Sequence, residues 1–102
     1  EIPQSDTVRH LYLLRLNPER LKAGRKEIFD ALTAENIGCN VHYIPVYYFP
    51  YYQKLGYQKG LCPNAEALYE RLITIPLYFG MSDEDVQNVI QAVKKVLNYY
   101  RK

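Results

Sequence analysis

Prolines at positions 18, 45, 50, 63 and 76 divide this chain into short segments. Proline fixes φ and lacks a backbone N–H, so no helix interior or central strand runs through those points. Before the first of them, His10–Leu16 is short, apolar and aromatic, and predicts a strand buried on much of both faces. Asn17-Pro18-Glu19 reads as a helix start, with Asn as N-cap and Pro where its missing donor costs nothing. That helix is expected from Pro18 to Glu35, with Leu21, Ile28, Phe29 and Leu32 on one face and Gly38 as its stop. Cys39–Tyr43 then reads as a second strand. A short helix is expected from near Pro50 to Gly56, followed by a loop to Pro63. Asn64 is expected to cap a helix reaching Arg71, and Leu72–Ile75 to form a third strand stopped by Pro76. Ser82 opens the last helix with Asp83, Glu84 and Asp85 in its first turn. Its apolar stripe is Val86, Val89, Ile90, Val93 and Leu97, and Lys94, Lys95, Arg101 and Lys102 lie toward its end. The expected fold class is α+β: a small two-layer sandwich, with a short three-stranded sheet carrying helices on one face and a partly bare second face.

The composition agrees with one globular domain: 102 residues, 48% hydrophobic and 24% charged. No apolar run approaches the roughly 18 residues of a membrane span, and no secretory signal opens the chain. A net charge of +2 argues against a strongly electrostatic nucleic-acid binder, and the branched and aromatic content against a disordered tail. Cys39 and Cys62 lack metal-ligand spacing. They are expected to be reduced, mostly packed thiols of a cytoplasmic protein, pairing only in an oxidising compartment. The chain starts at Glu1 without Met, which suggests processing or a piece of a longer protein.

Chemistry concentrates around Val41–Tyr47. His42 sits where a strand is expected to give way to an aromatic loop, a place that faces a cleft, and an imidazole there can donate, accept or shuttle a proton. The other reading is a ring hydrogen-bonded to backbone in a half-buried turn. There are eleven tyrosines and no tryptophan. Tyr12 and Tyr69 are expected in the core or an interface, and Tyr99 and Tyr100 in packing or a frayed end. Tyr43, Tyr47, Tyr48, Tyr51 and Tyr52 cluster in one loop, where flat rings with a polar tip suit either an interface or a stacked sugar or base. Lys22, Lys26, Lys94 and Lys95 lie on polar helix faces, Lys54 and Lys59 in a loop, and Lys102 at the end. None has the apolar cage that a Schiff-base lysine needs. A complete active site is not readable within this chain.

One set of spaced motifs is more specific. Asn36-Ile37-Gly38-x-x-Val41-His42-Tyr43-Ile44-Pro45 is followed by Pro50-Tyr51-Tyr52, Pro63-Asn64-Ala65-Glu66, Ile75-Pro76-Leu77 and Met81-Ser82-x-Glu84-Asp85-Val86. In that order they resemble the C-terminal domain of DegT/StrS-type nucleotide-sugar aminotransferases, pyridoxal-phosphate enzymes of fold type I. Within the family the likeness is to transaminases acting on the 4-keto group of UDP-linked amino-sugars, as in pseudaminic acid and surface polysaccharide pathways. It runs over essentially the whole chain.

The resemblance implies that residues 1–102 are a single small C-terminal domain. A larger N-terminal domain would carry the cofactor lysine and most contacts to pyridoxal 5'-phosphate. The implied partners are that large domain, a second subunit in a homodimer, glutamate as amino donor and a nucleotide-sugar acceptor, with no nucleic acid and no membrane. It implies no catalytic, cofactor-binding or metal residue within this chain. Substrate contacts carried over by position are His42 and Tyr43, with Tyr47 and Tyr52 beside them. Tyr47 departs from the family pattern, which commonly has a second His there, and Leu61-Cys62 stand where an acidic and an aromatic residue are common. The competing expectation is a stand-alone sugar- or nucleotide-binding module that uses the tyrosine-rich loop.

Overall fold

The structure, a computed structural model, describes residues 3, 4, 6 and 8–102. Strand β1 is Tyr12–Arg15 and helix α1 is Arg25–Ala34. A 3-10 turn at Val46–Tyr48 leads into α2, Pro50–Lys54, and then α3, Pro63–Tyr69. Strand β2, Leu72–Ile75, and helix α4, Asp83–Tyr99, complete the order. β1 and β2 pair antiparallel, with Tyr12 opposite Ile75 and Leu14 opposite Ile73.

The α+β class holds, but the sheet has two strands rather than three. The expected strand at Cys39–Tyr43 shrinks to one bridge, Asn40 to Thr74, closed by hydrogen bonds of 2.7 and 3.0 Å. Asn40 explains why pairing stops there. Its Oδ1 accepts the N–H of Val41 at 2.7 Å, so a side chain takes a donor that a longer ladder would use.

β2 is buried along Leu72, Ile73 and Thr74, because it has β1 on one side and the Asn40 bridge on the other. β1 is an edge strand, and the expectation of burial on both faces fails: Tyr12 is 58% and Leu13 46% exposed. The second sheet face is bare only on that side, since Leu72 and Thr74, opposite Arg15 and Leu13, are covered. On the first face Ile73 packs with Leu16, Ile28, Leu32, Val89, Ala92 and Val96, which places α1 and α4 together on one side. Val86 and Ile90 of the expected α4 stripe stand half-exposed beside β1.

α1 begins seven residues later than its local signals suggest. Asn17 Oδ1 accepts from Glu19 N, and Asn17 O from Arg20 N, so the Asn-Pro pair makes a turn. Leu21 then pairs with Arg101, and Lys22 N donates to Tyr100 O, which draws the segment into extended form against the far end of the chain. The helix starts after Gly24, whose N–H is met by the Glu27 carboxylate at 2.8 Å. At its end Asn36, not Gly38, takes the left-handed conformation, with φ of 61°. In α3 Pro63 holds the first position and Cys62 precedes it, so Asn64 lies inside the helix instead of capping it.

α4 follows its sequence signals closely at its start. Ser82 Oγ accepts from Asp85 N at 3.1 Å, and Asp85 Oδ2 accepts from Ser82 N at 2.9 Å, a reciprocal cap. The Ser82 hydrogen bonds hold the Asp85 carboxyl below its ordinary range. The basic residues do not gather in its last turn: Lys95 reaches Glu35 of the α1 terminus at 2.7 Å, and Lys102 Nζ the carbonyl of Pro18 at 3.1 Å. Ser82→Ala is expected to cost about 1 kcal/mol, read as a lower urea midpoint at unchanged slope, with Ser82→Thr, which keeps the capping hydroxyl, retaining most of the stability.

Candidate functional site

The sequence-predicted residues fall into two neighbouring groups. The first lies over β2. The His42 ring is half-buried, and its Nδ1 stands 2.9 Å from Thr74 Oγ1. Tyr43 is 69% exposed and meets the His42 ring edge-on, with centroids 4.6 Å apart; the peptide joining the two residues is cis. His42, Thr74, His10, Asn40, Cys39 and Tyr78 line a shallow cleft of about 320 Å³.

The second group is held by α3. The Tyr47 hydroxyl donates to Glu66 Oε1 at 2.6 Å, and Gly60 N donates to the same oxygen at 2.7 Å. Cys62 N donates to the Tyr47 oxygen at 3.3 Å. Burial and the hydrogen bond to Glu66 raise the Tyr47 pKa, so the phenol stays protonated and a donor. The Tyr47 hydrogen bond, followed by the Gly60 amide, lowers that of Glu66. Tyr48 packs edge-on against Tyr47 and Tyr69, with Lys59 4.8 Å above its ring. Arg25 lies 4.4 Å from the Tyr69 ring centre and donates to the Tyr69 carbonyl, so α1 anchors this cluster. Tyr52 is half-buried between the edges of Tyr51 and Tyr57.

Tyr47 and Tyr52 thus shape the loop through contacts within the chain, while Tyr43 is open. Thr74 and Glu66 join the site only through the fold. Glu66 sits in a quoted motif, yet nothing local marks it as the partner of a phenol 19 positions earlier. Thr74 reads only as a strand residue, 32 positions from His42. Cys39 is half-buried and burial pushes its thiol pKa up; Cys62 is exposed, against the expectation of packing, and both are free.

Glu66 gives the loop a pH dependence of defined sign. Its folded pKa lies below the ordinary 4.5, so the tie contributes stability above 4.5 and loses it as pH falls through the lower folded value. The Gly60 amide resonance is expected to titrate with a midpoint below 4.5, and to stop doing so in Glu66→Gln. A midpoint at or above 4.5 would reject the tie.

Comparison with known proteins supplies the family. The sequence model of the DegT/DnrJ/EryC1/StrS aminotransferase family matches residues 1–94. The chain belongs to that family. Among curated relatives, MJ1066 of Methanocaldococcus jannaschii is 47% identical over 93 residues, which are 90% of this chain and 24% of that protein. The spore coat polysaccharide biosynthesis protein SpsC of Bacillus subtilis is 46% identical over 90 residues, 86% of this chain and 23% of its own length. Among solved structures, Spr1654 of Streptococcus pneumoniae, assigned as a sugar aminotransferase and solved in a PMP form, superposes with a TM-score of 0.80 at 36% identity, covering 89% of this chain and 23% of its own. PseC of Helicobacter pylori, an aminotransferase of pseudaminic acid biosynthesis, gives 0.79 at 29% identity, covering 88% and 24%. The chain therefore spans about a quarter of the length of these family members.

Proposed function

We propose that this chain is the small C-terminal domain of a cytoplasmic, homodimeric aminotransferase that moves an amino group from glutamate to a 4-keto nucleotide-linked sugar with pyridoxal phosphate. The domain would form the substrate-side wall of the active site and be inactive alone. The observation that carries this reading is the exposed aromatic and apolar run beside His42, on a chain of this family. Tyr43, Val46, Phe49, Tyr51, Leu55, Tyr57 and Leu61 all stand open between positions 43 and 61. So many exposed apolar side chains in one segment suit a docking face or ligand wall. In this reading His42, Tyr43, Tyr47 and Tyr52 contact or shape the sugar site, and the loop meets the large domain or the second subunit.

The residues of this chain do not fit as an anchor for the cofactor. Lys26 is paired with Asp30, Lys95 with Glu35, Lys22 and Lys59 lie over tyrosine rings, and Lys54 and Lys94 are exposed. The reading places the cofactor lysine in the preceding domain, and the PMP form of Spr1654 supports the cofactor class. Two measurements test it. The upstream reading frame should encode a lysine-bearing domain, and the full-length product should aminate a 4-keto nucleotide-sugar at the expense of glutamate. A frame without such a domain, or a product that binds nucleotide-sugars without aminating them, would leave the binding-module reading in its place.

A further inference from the structure

Thr74 is the one buried polar side chain among the described residues, at 6% exposure. Its backbone N–H and C=O are both spent on Asn40, at 2.7 and 3.0 Å. Its hydroxyl has a single side-chain partner among the described residues, His42 Nδ1 at 2.9 Å. A hydroxyl carries one proton, and a neutral imidazole has one N–H and one bare nitrogen. Two arrangements are therefore possible. If Nδ1–H donates to Oγ1, the buried hydroxyl proton has no acceptor. If Oγ1–H donates to Nδ1, the buried hydroxyl and Nδ1 are both met and the imidazole proton sits on Nε2. Buried donors are rarely left unmet, so the second arrangement is the favoured one.

We infer that Thr74 is a positioning residue for His42: its hydroxyl donates to Nδ1 and holds the imidazole as the Nε2–H tautomer. Nε2 has no protein partner among the described residues. The cleft lined by His42, Thr74, His10 and Asn40 is thereby supplied with an N–H donor suited to a carbonyl or hydroxyl oxygen of a ligand. That the ligand oxygen belongs to a sugar rests on the function proposed above; the tautomer does not. β2 gives the device its rigidity, since Thr74 is fixed by ladder partners on both sides while His42 lies on an irregular segment.

The test uses the full-length protein labelled with ¹⁵N-histidine, with His42→Gln to assign the resonances. Two-bond ¹H–¹⁵N spectra should show a pyridine-type Nδ1 and a pyrrole-type Nε2 for His42. Thr74→Val, which keeps the β-branched shape, should move the ring to a tautomer mixture, and Thr74→Ser should restore the wild-type pattern. For amination, Thr74→Val should lower kcat/KM for the sugar about tenfold, the weight of one hydrogen bond. Thr74→Ser should recover most of that, and Thr74→Val should add nothing to His42→Gln. A proton on Nδ1 in the wild type, or ¹⁵N shifts unmoved by Thr74→Val, overturns the inference. Should Thr74→Val fail to fold, the wild-type and Thr74→Ser spectra still decide. The expected tautomer with kinetics indifferent to His42→Gln would uphold the positioning and remove His42 from the sugar site.

Discussion

Ile73→Ala is expected to cost about 2–5 kcal/mol of folding free energy, as large a loss as any single truncation here should give. Ile73 is 0% exposed at the centre of β2, and packs with residues from both long helices. No neighbour can collapse easily into the space, because Leu14 opposite is fixed by the strand pairing and Ile28 and Leu32 by α1. The loss weighs heavily where, among the described residues, exposed large hydrophobics outnumber the nine buried hydrophobic residues, against a total of roughly 5–15 kcal/mol for an ordinary domain. Thermal unfolding of the full-length protein should show the transition containing this domain lowered by about ten degrees or more. Ile73→Val, which removes one methylene, should lose about 0.5–1.5 kcal/mol. If both variants unfolded with the wild type, Ile73 would not be the keystone of this core.

On the function proposed above, His42→Ala in the full-length protein should lower kcat/KM for the nucleotide-sugar by about ten- to hundredfold, while the glutamate half-reaction changes little. The lower figure is the loss of one well-placed hydrogen bond, and the upper adds misorientation of the keto carbon. Tyr99→Ala is the control, since Tyr99 is 72% exposed and belongs to neither site group; it should stay within about twofold, as surface truncations do. Equal effects of the two substitutions would take His42 out of the site. A loss confined to the glutamate half-reaction would place His42 at the donor rather than the acceptor.

What the sequence reveals follows the range of the forces involved. β2 and α4 are legible because their signals are local: Pro76 removes a donor, and Ser82 with Asp85 closes a cap within three residues. The aromatic loop is legible for the same reason, with Pro50 opening α2 and Gly56 closing it. The start of α1 is not. Asn17 and Pro18 are good helix signals, satisfied instead in a turn because Leu21 and Lys22 are claimed by Arg101 and Tyr100. The third strand fails through a competition that composition hides, Asn40 capping the amide beside it. The tyrosine loop marks the site's neighbourhood, yet the partners that orient it, Thr74 for His42 and Glu66 for Tyr47, come from elements brought alongside only by folding.

The closure of residues 18–22 against residues 100–102 bears on how the domain is made. Lys102 N donates to Arg20 O, and its ammonium reaches Pro18, 84 positions earlier. At about 5–20 residues per second, a ribosome takes several seconds to cross that interval. Through all of it the early segment waits without the strand-like partner that holds it out of helix. The Asn17-Pro18 signals are free during that time to nucleate a longer first helix. Only once residues 100–102 are made can residues 20–22 take the extended pairing seen in the fold, which makes this pairing one of the latest contacts available to the domain.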